Sequence, residues 1–352
     1  MKNSITNDLS KILEKAWSNI AITRKELIKL LNIDERSYES AIIRSTAASI
    51  VRSKNDNSAI ILGQIGVDIF PCPGGCKFCT FGENHTTFQK YKMSAAELEN
   101  KMYDFCKEGD LYALYLMTMH EYDLDNYLKL VSHAKKIAPK TTQIWANIGD
   151  TKYEDLAEIK SAGVSGIYHV CRLGEGTDTR LDPSARIETM KNARKAGLEV
   201  YTCCEPIGPE HTAEELAENI FIGIDIGVYQ HAAMRRVAVP GSPMYNKGQI
   251  SELRLAHITA CIALVTLTLP TMTYMGVHEP NQLGYLAGAN VITAEAGANP
   301  RDTVADTSKN RGYDMAACRK IFYECGFDYL RRGDESKIKL DLEYLQKTNS
   351  LI

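Results

Sequence analysis

The stretch of this 352-residue chain with the most chemistry in it is Gly66-Val67-Asp68-Ile69-Phe70-Pro71-Cys72-Pro73-Gly74-Gly75-Cys76-Lys77-Phe78-Cys79. Three thiols fall within eight residues, separated by three residues and then by two. Three thiolates can hold three irons of a four-iron cube and leave the fourth open to a ligand. Gly74 and Gly75 let such a loop wrap tightly without Cβ clashes. Phe78 sets a ring between two of the thiols, where it could stack on a planar group. Two other readings fit part of the stretch. Cys76-x-x-Cys79 alone suits a redox dithiol or half of a zinc site. Zinc needs a fourth ligand, for which His85 is near enough in sequence, and a dithiol leaves Cys72 without a task.

The bulk composition sets the frame. With 44% hydrophobic and 24% charged residues, the chain reads as an ordinary globular protein. Its net charge of −3 gives no reason to expect nucleic acid or an anionic membrane as partner. Residues 1–8 are polar and lead into an amphipathic stretch, unlike an apolar signal core. No run reaches the roughly 18 apolar residues of a spanning helix. Ten cysteines in that setting point to a reducing cytoplasm, where thiols bind metal or catalyse more often than they pair. The Asn84-His85-Thr86 sequon carries no weight in that compartment.

The elements that must position the thiols alternate along the chain. Residues 1–60 read as a helical extension, with Leu9, Ile12, Leu13, Leu27, Ile28, Leu30 and Leu31 at helical spacing. Candidate strands follow at 64–70, 112–117, 143–148, 166–171, 199–204, 228–239, 272–275 and 290–295. Between them lie candidate helices at 95–107, 124–137, 153–162, 183–196, 213–226 and 252–266. Asp182-Pro183 and Thr212-x-x-Glu215 read as helix starts, and Gly163 and Gly197 as helix stops. Eight strands alternating with helices imply an α/β fold, a (β/α)8 TIM-like barrel, expected over 61–335 with a tail at 336–352.

A CxxxCxxC loop after the first strand, with an aromatic residue before the last cysteine, resembles the signature of radical S-adenosylmethionine (SAM) enzymes. The resemblance implies a [4Fe–4S] cluster on Cys72, Cys76 and Cys79, with Phe78 near the SAM adenine. In that family the open iron chelates the amino and carboxylate groups of SAM. One electron then gives methionine and a 5′-deoxyadenosyl radical that takes hydrogen from a small-molecule substrate. It also implies an electron donor such as ferredoxin or flavodoxin. The likeness runs over about residues 60–330 to the biotin synthase-like branch, which includes methylornithine synthase and the [FeFe]-hydrogenase maturase. Val239-Pro240-Gly241-Ser242-Pro243-Met244 resembles its loop after strand six. Residues 283–298, centred on Ala287-Gly288-Ala289-Asn290, resemble its C-terminal biotin-and-thiamin-synthesis segment.

Chemistry in such barrels sits at the C-terminal ends of the strands. Those ends carry Met117, Thr118 and His120; Asn147; Cys171, Arg172 and Glu175; Cys203, Cys204 and Glu205; Arg235 and Arg236; Tyr274 and His278; and Glu295. Glu175 offers an acceptor for the SAM ammonium and ribose, and Arg172, Arg180 or Arg186 a cation for its carboxylate. A surface ion-pair network is the plainer reading of these four. Glu205 opens a stiff Pro- and Gly-containing loop that could fix it toward a polar ligand, or simply make a turn. Arg235 and Arg236 are adjacent, so one faces in and the other out. Biotin synthase carries a sulfur-donating [2Fe–2S] cluster on three cysteines and an arginine. Alignment sets Met117, Trp145, Tyr201 and Tyr274 near those positions, none a ligand of the needed type. Cys171, Cys203 and Cys204, expected to face the cavity, could hold a different auxiliary cluster; packing is the alternative. Rearrangement, fragmentation or cofactor assembly is therefore favoured over sulfur insertion of the biotin or lipoyl kind, and a non-catalytic iron–sulfur or zinc protein is the rival from another class.

Overall fold

The computed structural model describes residues 6–279, 281–296 and 312–351. The ends of the expected extension and tail, and residues 280 and 297–311 of the expected barrel, lie outside them. Three capped helices open the chain, α1 (Asn7–Trp17), α2 (Arg24–Leu31) and α3 (Tyr38–Lys54). Then come β1 (Ser58–Ile69), a short β2 (Tyr91–Lys92), α4 (Ala95–Cys106), β3 (Leu111–Thr118), α5 (Leu124–Ile137) and β4 (Gln143–Asn147). The alternation continues with α6 (Tyr153–Ser161), β5 (Val164–Tyr168), α7 (Pro183–Lys195), β6 (Glu199–Ile207), α8 (Ala213–Ile226) and β7 (Gln230–Arg235). It ends with α9 (Glu252–Thr266), β8 (Tyr274–His278), α10 (Gln282–Tyr285) and β9 (Val291–Ala296).

Strands β1 and β3 to β9 pair in parallel in chain order, and β9 returns to β1 with Gln64 opposite Glu295. The protein is a closed eight-stranded (β/α)8 TIM-like barrel. Its connecting helices carry local start signals. Asp182 accepts from Ser184 N ahead of Pro183 in α7, and Thr212 and Glu215 form a reciprocal cap on α8. Helix α9 has apolar or small residues on all sides and almost no polar face, so it needs cover all round. Helices α2 and α3 supply that cover. His257 of α9 bridges Leu30 O at 2.9 Å and Ser40 Oγ at 2.7 Å.

The opposite end of the chain closes the barrel floor. After α11 (Met315–Glu324), β10 (Tyr329–Arg331) pairs with β1, and β11 (Lys337–Lys339) folds back on it before α12 (Leu342–Lys347). The turn between them seats Glu335 under the barrel, where Tyr112 Oη donates to it at 3.0 Å and Tyr274 Oη at 3.3 Å. Above that turn an aromatic layer fills the interior. Tyr112 and Tyr274 rings lie 5.4 Å apart, and Tyr115 and Trp145 5.5 Å apart. Trp145 fits because a Cβ on Gly166 would come within 2.6 Å of its ring. Buried Asp110 and Arg319 tie β3 to α11 by bonds of 2.6 and 3.0 Å.

Candidate active site

At the C-terminal end of the barrel, a cavity opens on about 1260 Å³ of empty space. The cysteine loop after β1 forms part of its wall. Cys72 N donates to Phe81 O at 2.7 Å and Glu83 N to Cys72 O at 3.1 Å, closing the loop on itself. Gly75 has φ +58°, a conformation that a side chain would strain. Neighbouring loops clamp it: Arg180 N reaches Gly74 O, Lys77 N reaches Asp178 O, and Met244 N reaches Lys77 O, all at 2.9–3.1 Å. Cys72, Cys76, Cys79 and Phe78 all line the cavity.

The three thiols sit in a protonating environment. Burial pushes Cys76 up to about 11 against the pull of Arg172, and pushes Cys79 higher still. Metal binding reverses that preference, because a coordinating thiol is deprotonated outright. Among the described residues, no three His, Cys, Asp or Glu side chains converge closely enough to hold a single metal ion. His85, the candidate fourth zinc ligand, turns its Nε2 to Cys79 O at 2.7 Å. A four-iron cube makes a different demand, one thiolate to each of three irons. Three thiols lining a single cavity fit it.

Beside the thiols lies a buried charge network. Arg172 Nε meets Glu205 Oε1 at 3.1 Å, and Tyr168 Oη donates to Glu205 Oε2 at 2.8 Å. Burial alone would lower the Arg172 guanidinium, but Glu205 and Glu175 raise it overall. Arg186 Nη1 donates to Asp150 Oδ1 at 2.9 Å and its Nε to Val170 O at 2.9 Å. His169 Nε2 contacts the same Asp150 oxygen at 3.0 Å. Burial raises Asp150, yet His169 and Arg186 outweigh it and hold the carboxyl at about 2.

The residues singled out in the sequence separate here. Arg172, Arg186 and Glu205 line the cavity with the cysteines; Glu175 and Arg180 do not. Glu175 lies behind the wall, accepting from Arg172 N at 2.9 Å and Thr179 Oγ1 at 2.6 Å. Arg180 stands on the outer surface, its side chain 53% exposed and paired with Glu83. Met117, Thr118, His120, Asn147, Arg236, His278 and Glu295 line the cavity. Arg236 is spent on Glu210 and on Gly248 O, while Arg235 points away to Glu279 and Ile250 O.

Two expectations are corrected. None of Cys171, Cys203 and Cys204 lines the cavity. Adjacent strand residues point to opposite faces, so Cys203 joins the interior layer while Cys204, like Cys171, packs in the core outside the sheet. Tyr274 begins β8 rather than ending it, and so lies at the floor beside Glu335. Gln64, Tyr168, Tyr201 and Thr293 line the cavity without having been singled out as strand-end groups. Asp150 is a further omission. Strand parity would have found the first group, since Gln64, Tyr201 and Thr293 face inward three or more residues below their strand ends and Tyr168 closes β5.

Comparison with known proteins agrees with this geometry. Residues 70–221 match the family described as the Radical SAM superfamily. That match, with the relatives that follow, supports an enzyme of the radical SAM class. Among its relatives is a biotin synthase from Clostridium botulinum (strain Hall), 23% identical over 303 residues that span 83% of this chain and 88% of the relative. A biotin synthase from Acetivibrio thermocellus is 28% identical over 242 residues, 63% of this chain and 72% of the relative. The crystal structure of HydG, a maturase of the [FeFe]-hydrogenase, superposes with TM-score 0.74 at 16% identity, covering 93% of this chain and 77% of HydG. Methylornithine synthase (PylB) superposes with TM-score 0.71 at 15% identity, covering 86% and 90%. The chain thus resembles the biotin synthase-like branch, and the family implies a [4Fe–4S] cluster and SAM. Among the described residues, no helix is long and apolar enough to cross a membrane.

Proposed function

We propose that Cys72, Cys76 and Cys79 hold a [4Fe–4S] cluster and that SAM binds beside it against Phe78, Arg172, Arg186 and Glu205. The observation that carries this reading is that all seven side chains line one cavity. With both groups bound, one-electron reduction supplies a 5′-deoxyadenosyl radical that can take hydrogen from an unactivated C–H bond. The chain's own residues do the rest. Arg172, locked between Glu205 and Glu175, presents a fixed cation to a carboxylate. Glu205, oriented by Tyr168 and Arg172, presents a fixed acceptor to a hydroxyl or ammonium group. Glu175 acts through Arg172 rather than on the ligand, and Arg180 braces the cysteine loop from outside through Glu83. The aromatic floor and Glu335 shield the lower end of the barrel from water.

The reaction is the rearrangement or fragmentation of a small metabolite, or a step of cofactor assembly. The dispersal of Cys171, Cys203 and Cys204 away from the cavity favours it over sulfur insertion, which needs a sulfur source such as an auxiliary cluster. The reductant is a one-electron carrier of the ferredoxin or flavodoxin kind. The test is anaerobic reconstitution with iron and sulfide, dithionite reduction and low-temperature EPR with and without SAM. A reduced-cluster signal that SAM alters, about four irons per chain and release of 5′-deoxyadenosine are expected. A cluster indifferent to SAM, or zinc in its place, refutes the reading.

A further inference from the structure

Strands β5, β6 and β8 bring three rings together on the cavity wall. Tyr168 and Tyr201 lie 5.2 Å apart at 80°, and His278 lies 5.6 Å from each. Each phenol has its own base. Tyr168 donates to Glu205, and Tyr201 Oη lies 3.0 Å from His278 Nε2. The second contact spans a strand, because β7 runs between β6 and β8. Ala232 on β7 and Gly276 on β8 form a trough of small residues under the Tyr201 side chain. A Cβ on Gly276 would come within 2.1 Å of Tyr201 Oη, so the glycine makes room for that hydroxyl. Tyr201 is 1% exposed, yet it lines the cavity. Burial pushes its phenol well above the ordinary value, so the O–H is kept at neutral pH.

A buried, protonated phenol with an imidazole as partner, facing a cavity where carbon radicals form, can surrender a hydrogen atom. The geometry points to Tyr201 as the hydrogen-atom donor that quenches a carbon radical in this cavity, with His278 as the group that returns its proton. The inference rests on the radical reading above. In the step, a C–H bond forms and the Tyr201 O–H bond breaks. The carbon radical is reduced, and Tyr201 is oxidised by one electron to a neutral phenoxyl. One electron from the same iron–sulfur or flavin carrier that drives SAM cleavage, and one proton passed through His278 Nε2, restore the phenol. Tyr168 and Glu205 flank this pair.

The reconstituted full chain tests it without a known substrate. SAM is cleaved with dithionite in deuterated, thiol-free buffer, and the 5′-deoxyadenosine is analysed by mass spectrometry. The phenol hydrogen exchanges with solvent, so the wild type should place one deuterium in 5′-deoxyadenosine, and Tyr201→Phe should lose it. Product without deuterium in the wild type, or equal deuterium in Tyr201→Phe, overturns the proposal. No 5′-deoxyadenosine at all removes the radical reading itself, and the proposal falls with it. A second readout needs no cofactor. In the unreconstituted chain, Tyr201→Phe should raise the NMR titration midpoint of His278, because a donor that favours the neutral ring is gone. An unchanged midpoint also overturns the pairing.

Discussion

Replacing Gly276 by alanine puts a methyl group where the Tyr201 hydroxyl lies. The new Cβ would stand 2.1 Å from Tyr201 Oη, 3.2 Å from the Ala232 Cβ and 3.3 Å from Tyr201 Cζ. Gly276 is not among the glycines with positive φ, so the penalty comes from crowding and not from the backbone. Overpacking a filled interior costs about 1–3 kcal/mol, and losing the Tyr201–His278 hydrogen bond adds about 0.5–1.5 kcal/mol. Alanine returns about 0.5–1 kcal/mol of the entropy that glycine loses in a strand. The net expectation is a destabilisation of ~0.5–4 kcal/mol. Urea unfolding of the unreconstituted chain measures it, provided the m-value is unchanged. The decisive comparison is the double variant Gly276→Ala with Tyr201→Phe. Without the hydroxyl, the contact at 2.1 Å disappears and only those above 3 Å remain. The double variant should therefore be more stable than Gly276→Ala alone, with a coupling of ~1 kcal/mol or more. Additive losses, or a neutral Gly276→Ala, would show that the glycine does not serve the tyrosine.

Four further outcomes are expected. Cys76→Ala should hold little iron and cleave no SAM while keeping the wild-type far-UV circular dichroism; normal cleavage would remove the cluster assignment. Equilibrium dialysis should find SAM bound about tenfold or more weakly by Arg172→Lys, which keeps the charge but loses the fork. Arg180→Met, outside the cavity, should change it far less, and equal losses would refute the separation of the two arginines. Asp110→Asn should cost about 3–5 kcal/mol in urea unfolding, because it leaves the 1%-exposed Arg319 without its charge partner. Stability should also fall in mild acid. Burial lowers His169 to about 3 and His231 and His257 to about 4, with Arg186 adding to the effect on His169. The unfolded chain takes up protons near pH 6.5 that these folded rings refuse, so stability rises with pH across that window. It is lost as pH drops from about 6.5 toward 4, by at most about 4 kcal/mol per pH unit for three protons. A flat profile between pH 7 and 5 would contradict the burial of these rings.

Much of the fold was readable because barrel strands and their helices each carry a local signal. The helix starts at Asp182 and Thr212 are properties of neighbouring residues, and the structure uses them as read. The cysteine loop was readable for the same reason: three thiols and two glycines lie within one short segment. What was not readable depends on register and on distant contacts. Tyr274 was set at the wrong end of its strand by a shift of a few residues, enough to move it from mouth to floor. Glu175 and Arg180 sit near Arg172 in sequence, yet one is spent behind the wall and the other faces solvent. Only the path of the loop after β5 separates them. The seal that Glu335 makes joins residues more than two hundred positions apart.

Strand parity alone settles part of what residue types leave open. Cys203 and Cys204 cannot both face the cavity, any more than Arg235 and Arg236 can. The same parity says what the barrel interior is for. The positions resembling the auxiliary-cluster ligands of biotin synthase carry Met117, Trp145, Tyr201 and Tyr274, all interior. They are not a vacated site. Trp145 and Tyr274 belong to the packed aromatic layer, with Tyr229 5.8 Å from Tyr274 and 6.3 Å from Trp145, and Glu335 closing it from below. Met117 and Tyr201 face the cavity above that layer. An iron–sulfur cluster there would have to displace several large rings, and a sulfur donor has no thiol on that wall among the described residues beyond the three of the cysteine loop. The positions a sulfur-inserting enzyme gives to its second cluster are here given to a thioether and three aromatic rings. The one phenol among them that faces the cavity is Tyr201, which favours the proposed chemistry that ends with hydrogen returned to carbon rather than sulfur added to it.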